Sequence, residues 1–122
     1  MPSEPRRLDL AIRTDGAGRA RIRLVDYLEP RGIIDHVTTV PDATNQPTAN
    51  WDIELFDQHG NDLLTGQLLN RSNSADQTVW PFNAGAGSGT YVPVSLHGDP
   101  ELWISNTGAD KGMGVTLILL RE

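Results

Sequence analysis

Apolar residues recur at every second position in several short stretches of this chain, which is the spacing of extended strands. Leu8, Leu10 and Ile12 alternate with Asp9, Ala11 and Arg13, and Ala20, Ile22 and Leu24 alternate with Arg19, Arg21 and Arg23. Trp51, Ile53 and Leu55 alternate with Asp52 and Glu54. Successive side chains of a strand point to opposite faces, so each stretch has one face to bury and one to leave in water. Thr14 to Gly18 carries turn chemistry, and joining the first two stretches across it predicts a hairpin whose outer face is a row of three guanidinium groups. Asp57-Gln58-His59-Gly60-Asn61 follows the third stretch in the same way, with Leu63-Leu64 beyond it, and predicts a second hairpin.

The remaining segments fit the same period. Ile33 to Val40 is rich in β-branched residues and reads as a strand, and the proline-containing segment from Pro41 to Ala49 reads as a surface loop. Leu64 and Leu68 stand one helical turn apart, which leaves a short helix as an alternative; Gly66 between them counts against it by about 1 kcal/mol relative to alanine. Gln77 to Trp80 restarts a strand, and residues 83–89 form a glycine-rich loop. Tyr91 to Leu96 is a strand interrupted by Pro93, which belongs at a sheet edge or a bulge. Leu102 to Ser105 and Met113 to Leu120 complete the set. The last strand is apolar on both faces, so it lies at the centre of a sandwich or barrel, or a second subunit covers one face. Ile118 and Leu120 are the candidate oligomer contacts. The expected fold is all-β: an antiparallel β-sandwich or jelly roll of about eight to nine short strands over residues 8–122, behind an extended N-terminal arm of residues 1–7.

Size and composition narrow the functional classes. A chain of 122 residues makes one domain, burying roughly two-thirds of its unfolded surface. With no cysteine it has neither disulfides nor thiolate chemistry. Nothing near Met1 reads as a secretory signal, and no apolar run approaches the roughly 18 residues that span a bilayer. A soluble protein made in a cytoplasm is expected. The net charge is −6, unevenly placed. Residues 1–31 hold seven arginines against five acids, whereas the rest holds three basic groups against eleven acids. Such an acidic body repels polyanions, so nucleic-acid binding is disfavoured, but the basic segment can dock on an acidic protein surface. Arg6, Arg7, Arg13, Arg19, Arg21 and Arg23 are the candidate partner-binding residues. The bland reading of Arg19, Arg21 and Arg23 is that they solubilise a sheet face or pair with acids across the strands.

Searching for reactive groups excludes more than it finds. His36, His59 and His97 stand at no metal-ligand spacing. Asp57, Asn61 and Asp62 surround a turn glycine without matching the roughly twelve-residue calcium loop. Gly87-Ser88-Gly89 lacks the spacing of a nucleophile elbow, and no glycine-rich stretch carries the lysine of a phosphate loop. Asn70-Arg71-Ser72 matches a glycosylation acceptor, without a secretory signal to give it meaning. Trp80, Tyr91 and Trp103 are candidate ligand-binding aromatics; Trp51 belongs to the core. The expectation is a non-enzymatic protein with no cofactor, no metal and no membrane partner.

Residues 50–122 contain an ordered series of short pieces: Trp51-Asp52-Ile53-Glu54-Leu55, Asp57 to Leu64, Asn70-Arg71-Ser72, then Leu102 to Ala109 with Lys111-Gly112 before a terminal apolar strand. In this order they resemble small virion structural proteins of tailed bacteriophages and prophages. The resemblance implies a capsid decoration (cement) protein that binds the major capsid protein and stabilises the shell. It also implies a homo-oligomer, with a trimer favoured over a dimer, on virions assembled in the bacterial cytoplasm. The alternative within the same setting is a receptor- or carbohydrate-binding module of a tail or head fibre. The arginine-rich first 45 residues lie outside the resemblance.

Overall fold

A computed structural model describes residues 5–82 and 93–120. The described residues form eight strands: β1 (Arg6–Arg13), β2 (Ala20–Arg23), β3 (Gly32–Pro41), β4 (Asp52–Phe56), β5 (Gln77–Val79), β6 (Val94–Leu96), β7 (Glu101–Ser105) and β8 (Gly112–Leu120). All pairings are antiparallel. One sheet runs β1-β8-β3-β5, with β6 on the same edge of β3 as β5 but at its other end; the second runs β2-β7-β4. The architecture is the expected antiparallel β-sandwich.

The period-two pattern decides which side chains fill it. Leu8, Leu10 and Ile12 of β1, Val115, Leu117 and Leu119 of β8, Ile53 and Leu55 of β4, and Leu102 and Ile104 of β7 all point inward. Trp51 is the largest fully buried side chain, and its indole N–H donates to the Ser72 carbonyl at 2.9 Å, so burial leaves no polar atom unpaired there. The central position of β8, paired with β1 on one side and β3 on the other, accounts for its length and apolarity. Its outward side chains are Thr116, half-buried Ile118 and exposed Leu120.

Three expectations need correction. Arg6 and Arg7 of the predicted arm of residues 1–7 belong to β1, which starts at Arg6 and pairs Arg6 with Leu119 and Arg7 with Ile118; residues 1–4 lie outside the described residues. The first predicted hairpin does not form, since β1 pairs with β8 and β2 with β7. Both strands bury alternate side chains in one core from opposite sheets, so Thr14–Gly18 carries the chain across the sandwich instead of folding it back in plane. The second hairpin forms only its turn: Asp57 N–H donates to the Asn61 carbonyl at 3.0 Å and Phe56 bridges Asp62, but no strand follows directly. β4 pairs with β7, and its other edge faces a run of turns over residues 62–71, with Thr65, Gly66 and Asn70 at positive φ. Left-handed residues at such short intervals suit neither strand nor helix. The predicted strand from Tyr91 is described only from Pro93, which bridges Phe82 just before edge strand β6; Tyr91 lies outside the described residues.

A buried pair of threonines fixes the crossing. The Thr107 hydroxyl lies 2.9 Å from that of Thr14 and 2.8 Å from the Gly108 carbonyl, while the Lys111 N–H donates to the Thr14 hydroxyl at 3.0 Å. Gly18 and Gly108 pack backbone to backbone here, both at positive φ, and a Cβ on Gly18 would meet Gly108 atoms at 3.0–3.2 Å. The turn between β1 and β2 is thereby pinned to the turn between β7 and β8.

Candidate functional site

The two lateral flanks of the sandwich are built differently. On the β4 side the 62–71 segment satisfies the strand edge bond by bond. Leu63 N–H donates to the Leu55 carbonyl at 2.7 Å, Ile53 N–H to Leu68 at 3.0 Å, and Arg71 N–H to Trp51 at 2.6 Å. Asp62 completes the seal: one carboxylate oxygen accepts the amides of Leu55 and Leu64 at 3.3 and 3.0 Å, and the other accepts that of Gly66 at 3.0 Å. Leu64 and Leu68 are buried beneath it.

The opposite flank is open. β1 and β2 are the end strands of their sheets, and among the described residues no strand pairs with the second edge of either. Thr14 N–H donates to the Lys111 carbonyl at 2.8 Å, which sets the phase of the β1–β8 ladder. Alternation then turns the amides and carbonyls of Leu8, Leu10 and Ile12 toward β8 and those of Arg7, Asp9, Ala11 and Arg13 outward. On β2, Leu24 N–H donates to Pro100, so the peptide groups of Arg21 and Arg23 likewise face away from β7. Between the two free edges runs a groove of about 450 Å³, lined by Asp9 to Asp15, Arg19 to Ile22 and Tyr27. Ala20 and Ile22 are only partly buried, and Tyr27 is 59% exposed.

The six candidate arginines divide into two groups. Arg6 donates to the carbonyls of Glu29 and Arg31, tying the 29–31 loop to β1. Arg7 pairs with Asp9 at 2.9 Å, and this guanidinium, with the Thr116 hydroxyl behind it, holds the Asp9 carboxyl below its ordinary range. Arg21 pairs with Glu101 at 3.1 Å and lies over the Trp103 ring at 4.2 Å; Arg23 pairs with Asp99 at 2.8 Å. For Arg21 and Arg23 the cross-strand pairing read as the bland alternative is the arrangement found. Arg13 and Arg19 are both exposed and have no ion pair among the described residues. They stand at the mouth of the groove, on either side of the pinned turn. The groove's two carboxylates are already engaged, Asp9 as above and Asp15 by the amides of Ala17 and Arg19.

The aromatic candidates do not assemble. Trp80 follows β5 and packs its ring 5.9 Å from that of His36, on the outside of the five-stranded sheet. Trp103 sits on the outside of the other sheet, with Phe56 edge-on at 5.0 Å and Arg21 over its ring. The core separates them, so no platform contains both. Ile118 and Leu120 share the Trp80 side. Among the described residues no cluster of three or more metal-ligating side chains occurs.

Sequence reasoning missed the open groove and the capping role of Asp62. The first had a signal: arginine recurs at outward positions, Arg7 and Arg13 of β1 and Arg21 and Arg23 of β2, and charged side chains on end strands protect free sheet edges. The second had Asp-Leu-Leu-Thr-Gly, an aspartate ahead of a glycine turn.

No protein-family model matches the chain, and no curated protein sequence matches it. Two solved structures are similar in outline. The crystal structure of FlhE aligns over 98% of this chain and 100% of its own, at 11% identity and a TM-score of 0.45. A chain of the infectious bursal disease virus Gx strain structure aligns over 98% of this chain at 14% identity and a TM-score of 0.34, this chain spanning 33% of its length.

Proposed function

We propose that this protein is a non-enzymatic structural component of a bacteriophage virion, a decoration protein that docks on the major capsid protein through its open β1/β2 flank. The observation that carries the docking surface is the asymmetry of the two flanks: one sealed peptide group by peptide group, the other left open with two unpaired guanidinium groups at its mouth. The virion setting is supported by the resemblance of residues 50–122 to small phage virion proteins. Of the six arginines first singled out, Arg13 and Arg19 carry the partner contact, because the other four are held by groups of their own chain. Symmetric self-association through the outer face of β8, with Ile118 and Leu120, would let one oligomer present several flanks, and repeated weak contacts over a lattice retain a ligand strongly.

Co-sedimentation with capsid shells assembled without this chain tests the reading. Wild-type protein is expected to pellet with the shells and to lose binding as salt rises, since exposed charges are screened beyond about 10 Å at 0.1 M ionic strength. Arg13→Glu with Arg19→Glu is expected to abolish binding with an unchanged circular dichroism spectrum. Full occupancy by the double variant would overturn the proposal.

A further inference from the structure

We infer that the groove between β1 and β2 captures an extended segment of the partner as an added β-strand on the β1 edge, and that this segment alternates apolar with acidic residues. The inference rests on the open flank being the docking surface; it does not depend on the partner being a capsid.

Three observations define the occupant. First, β1 is an eight-residue edge strand whose outward peptide groups, at Arg7, Asp9, Ala11 and Arg13, are spaced to pair with an extended backbone. A strand added there would continue the five-stranded sheet, the recognition mode in which main-chain bonds give affinity and side-chain pockets give specificity. Second, the groove has an apolar floor. Leu10 and Ile12 on one side and Ala20 and Ile22 on the other keep the sandwich interior within reach, and the half-buried state of Ile22 shows that its inward face is not fully covered by this chain. Every second side chain of an added strand would point onto that floor, so those positions suit apolar residues. Third, the intervening side chains would lie on the outer face of the five-stranded sheet beside Arg13, and Arg13 and Arg19 leave the charge along the groove positive, so a segment carrying carboxylates there is matched and a lysine-bearing one is repelled.

A second copy's N-terminus is a poorer occupant. Met1 to Pro5 holds two prolines, each lacking an N–H, and a single acid.

The test uses a synthetic seven-residue peptide of alternating glutamate and valine, titrated into the isotopically labelled full chain. Binding should slow hydrogen exchange at the amides of Arg7, Asp9, Ala11 and Arg13 by at least about tenfold and leave the β4 amides unchanged. A peptide with lysine in place of glutamate should not bind. N-methylation supplies the decisive control. Methyl groups on the alternate peptide nitrogens that face β1 should abolish binding, whereas methyl groups on the other set should leave it intact. Ala11→Pro removes one outward donor at an edge position where proline is tolerated and should weaken binding at least tenfold. Equal binding of both N-methylated peptides, protection elsewhere on the molecule, or no binding at all overturns the inference. A concentration-dependent dimer mass for the peptide-free chain, lost in Ala11→Pro, would assign the edge to a second copy and overturn it too. Peptide capture without shell binding would retain this inference and reject the decoration role; shell binding insensitive to Ala11→Pro would do the reverse.

Discussion

Asp62 holds the closed flank shut, and replacing it with alanine should measure what that closure contributes. Its carboxylate accepts three backbone amides, two of them from the fully buried residues Leu55 and Leu64. The bond to Leu55 is long at 3.3 Å and contributes least; the other two are 3.0 Å and aim at an ionised acceptor. A buried donor left without its partner costs about 1–3 kcal/mol, and bonds to charged groups lie at the upper end. Counting the two shorter bonds in full, and allowing for water reaching the half-exposed carboxylate, Asp62→Ala should lose about 2–4 kcal/mol. Such a loss is a large share of the roughly 5–15 kcal/mol by which domains are stable. At about 3–5 °C per kcal/mol for this size, the melting temperature should fall by roughly 10 °C. Urea unfolding followed by tryptophan fluorescence reads the effect well, because Trp51 sits under the same segment and its indole is bonded to Ser72. Asp62→Asn keeps one acceptor oxygen and should recover about half of the loss. If Asp62→Ala unfolds within 1 kcal/mol of the wild type, the carboxylate is not what secures the 62–71 segment.

Two further substitutions test smaller pieces of the structure. Thr39 is fully buried in β3 and its hydroxyl has no hydrogen-bond partner among the described residues, so Thr39→Val should raise stability by about 1 kcal/mol in the same urea assay; a loss of that size would mean the hydroxyl is satisfied. Glu54 faces outward on β4, and burial, followed by the charges of Asp62 and Asp52, raises its carboxyl above the ordinary glutamate range. A raised acid opposes folding once it ionises, so Glu54→Gln should melt above the wild type near about pH 7, and the gain should vanish by about pH 3, where both states of the wild type are protonated. A gain that persists at low pH would locate the effect in packing.

Period-two alternation was enough to place most strands, because a strand half-buried in a sandwich must show it: Leu8 to Ile12, Trp51 to Leu55 and Leu102 to Ser105 are each legible within a residue or two. What alternation cannot carry is pairing. Turn residues at 14–18 suit a hairpin and a crossing between sheets equally well, and only the shared core, with the Thr14–Thr107 contact between residues 93 positions apart, decides for the crossing. The 62–71 segment was illegible for a related reason. Leu64 and Leu68 announce burial, but the backbone there is held by the Asp62 carboxylate and by left-handed residues, and neither leaves a periodic trace. Among the arginines, number and spacing were visible from the start. Which of them are free depends on Asp9, Asp99 and Glu101, brought beside Arg7, Arg23 and Arg21 by folding.

Residue-resolved hydrogen exchange on the isolated chain tests the flank asymmetry most directly. The amides of Leu8, Leu10, Ile12 and Thr14, and those of Ile53 and Leu55 on the sealed side, should exchange slowly, while those of Arg7, Asp9, Ala11 and Arg13 exchange at least about a hundredfold faster. Comparable protection at both sets of β1 amides in a monomeric sample would mean that the β1 edge is already covered, and there would be no open flank for a partner to enter.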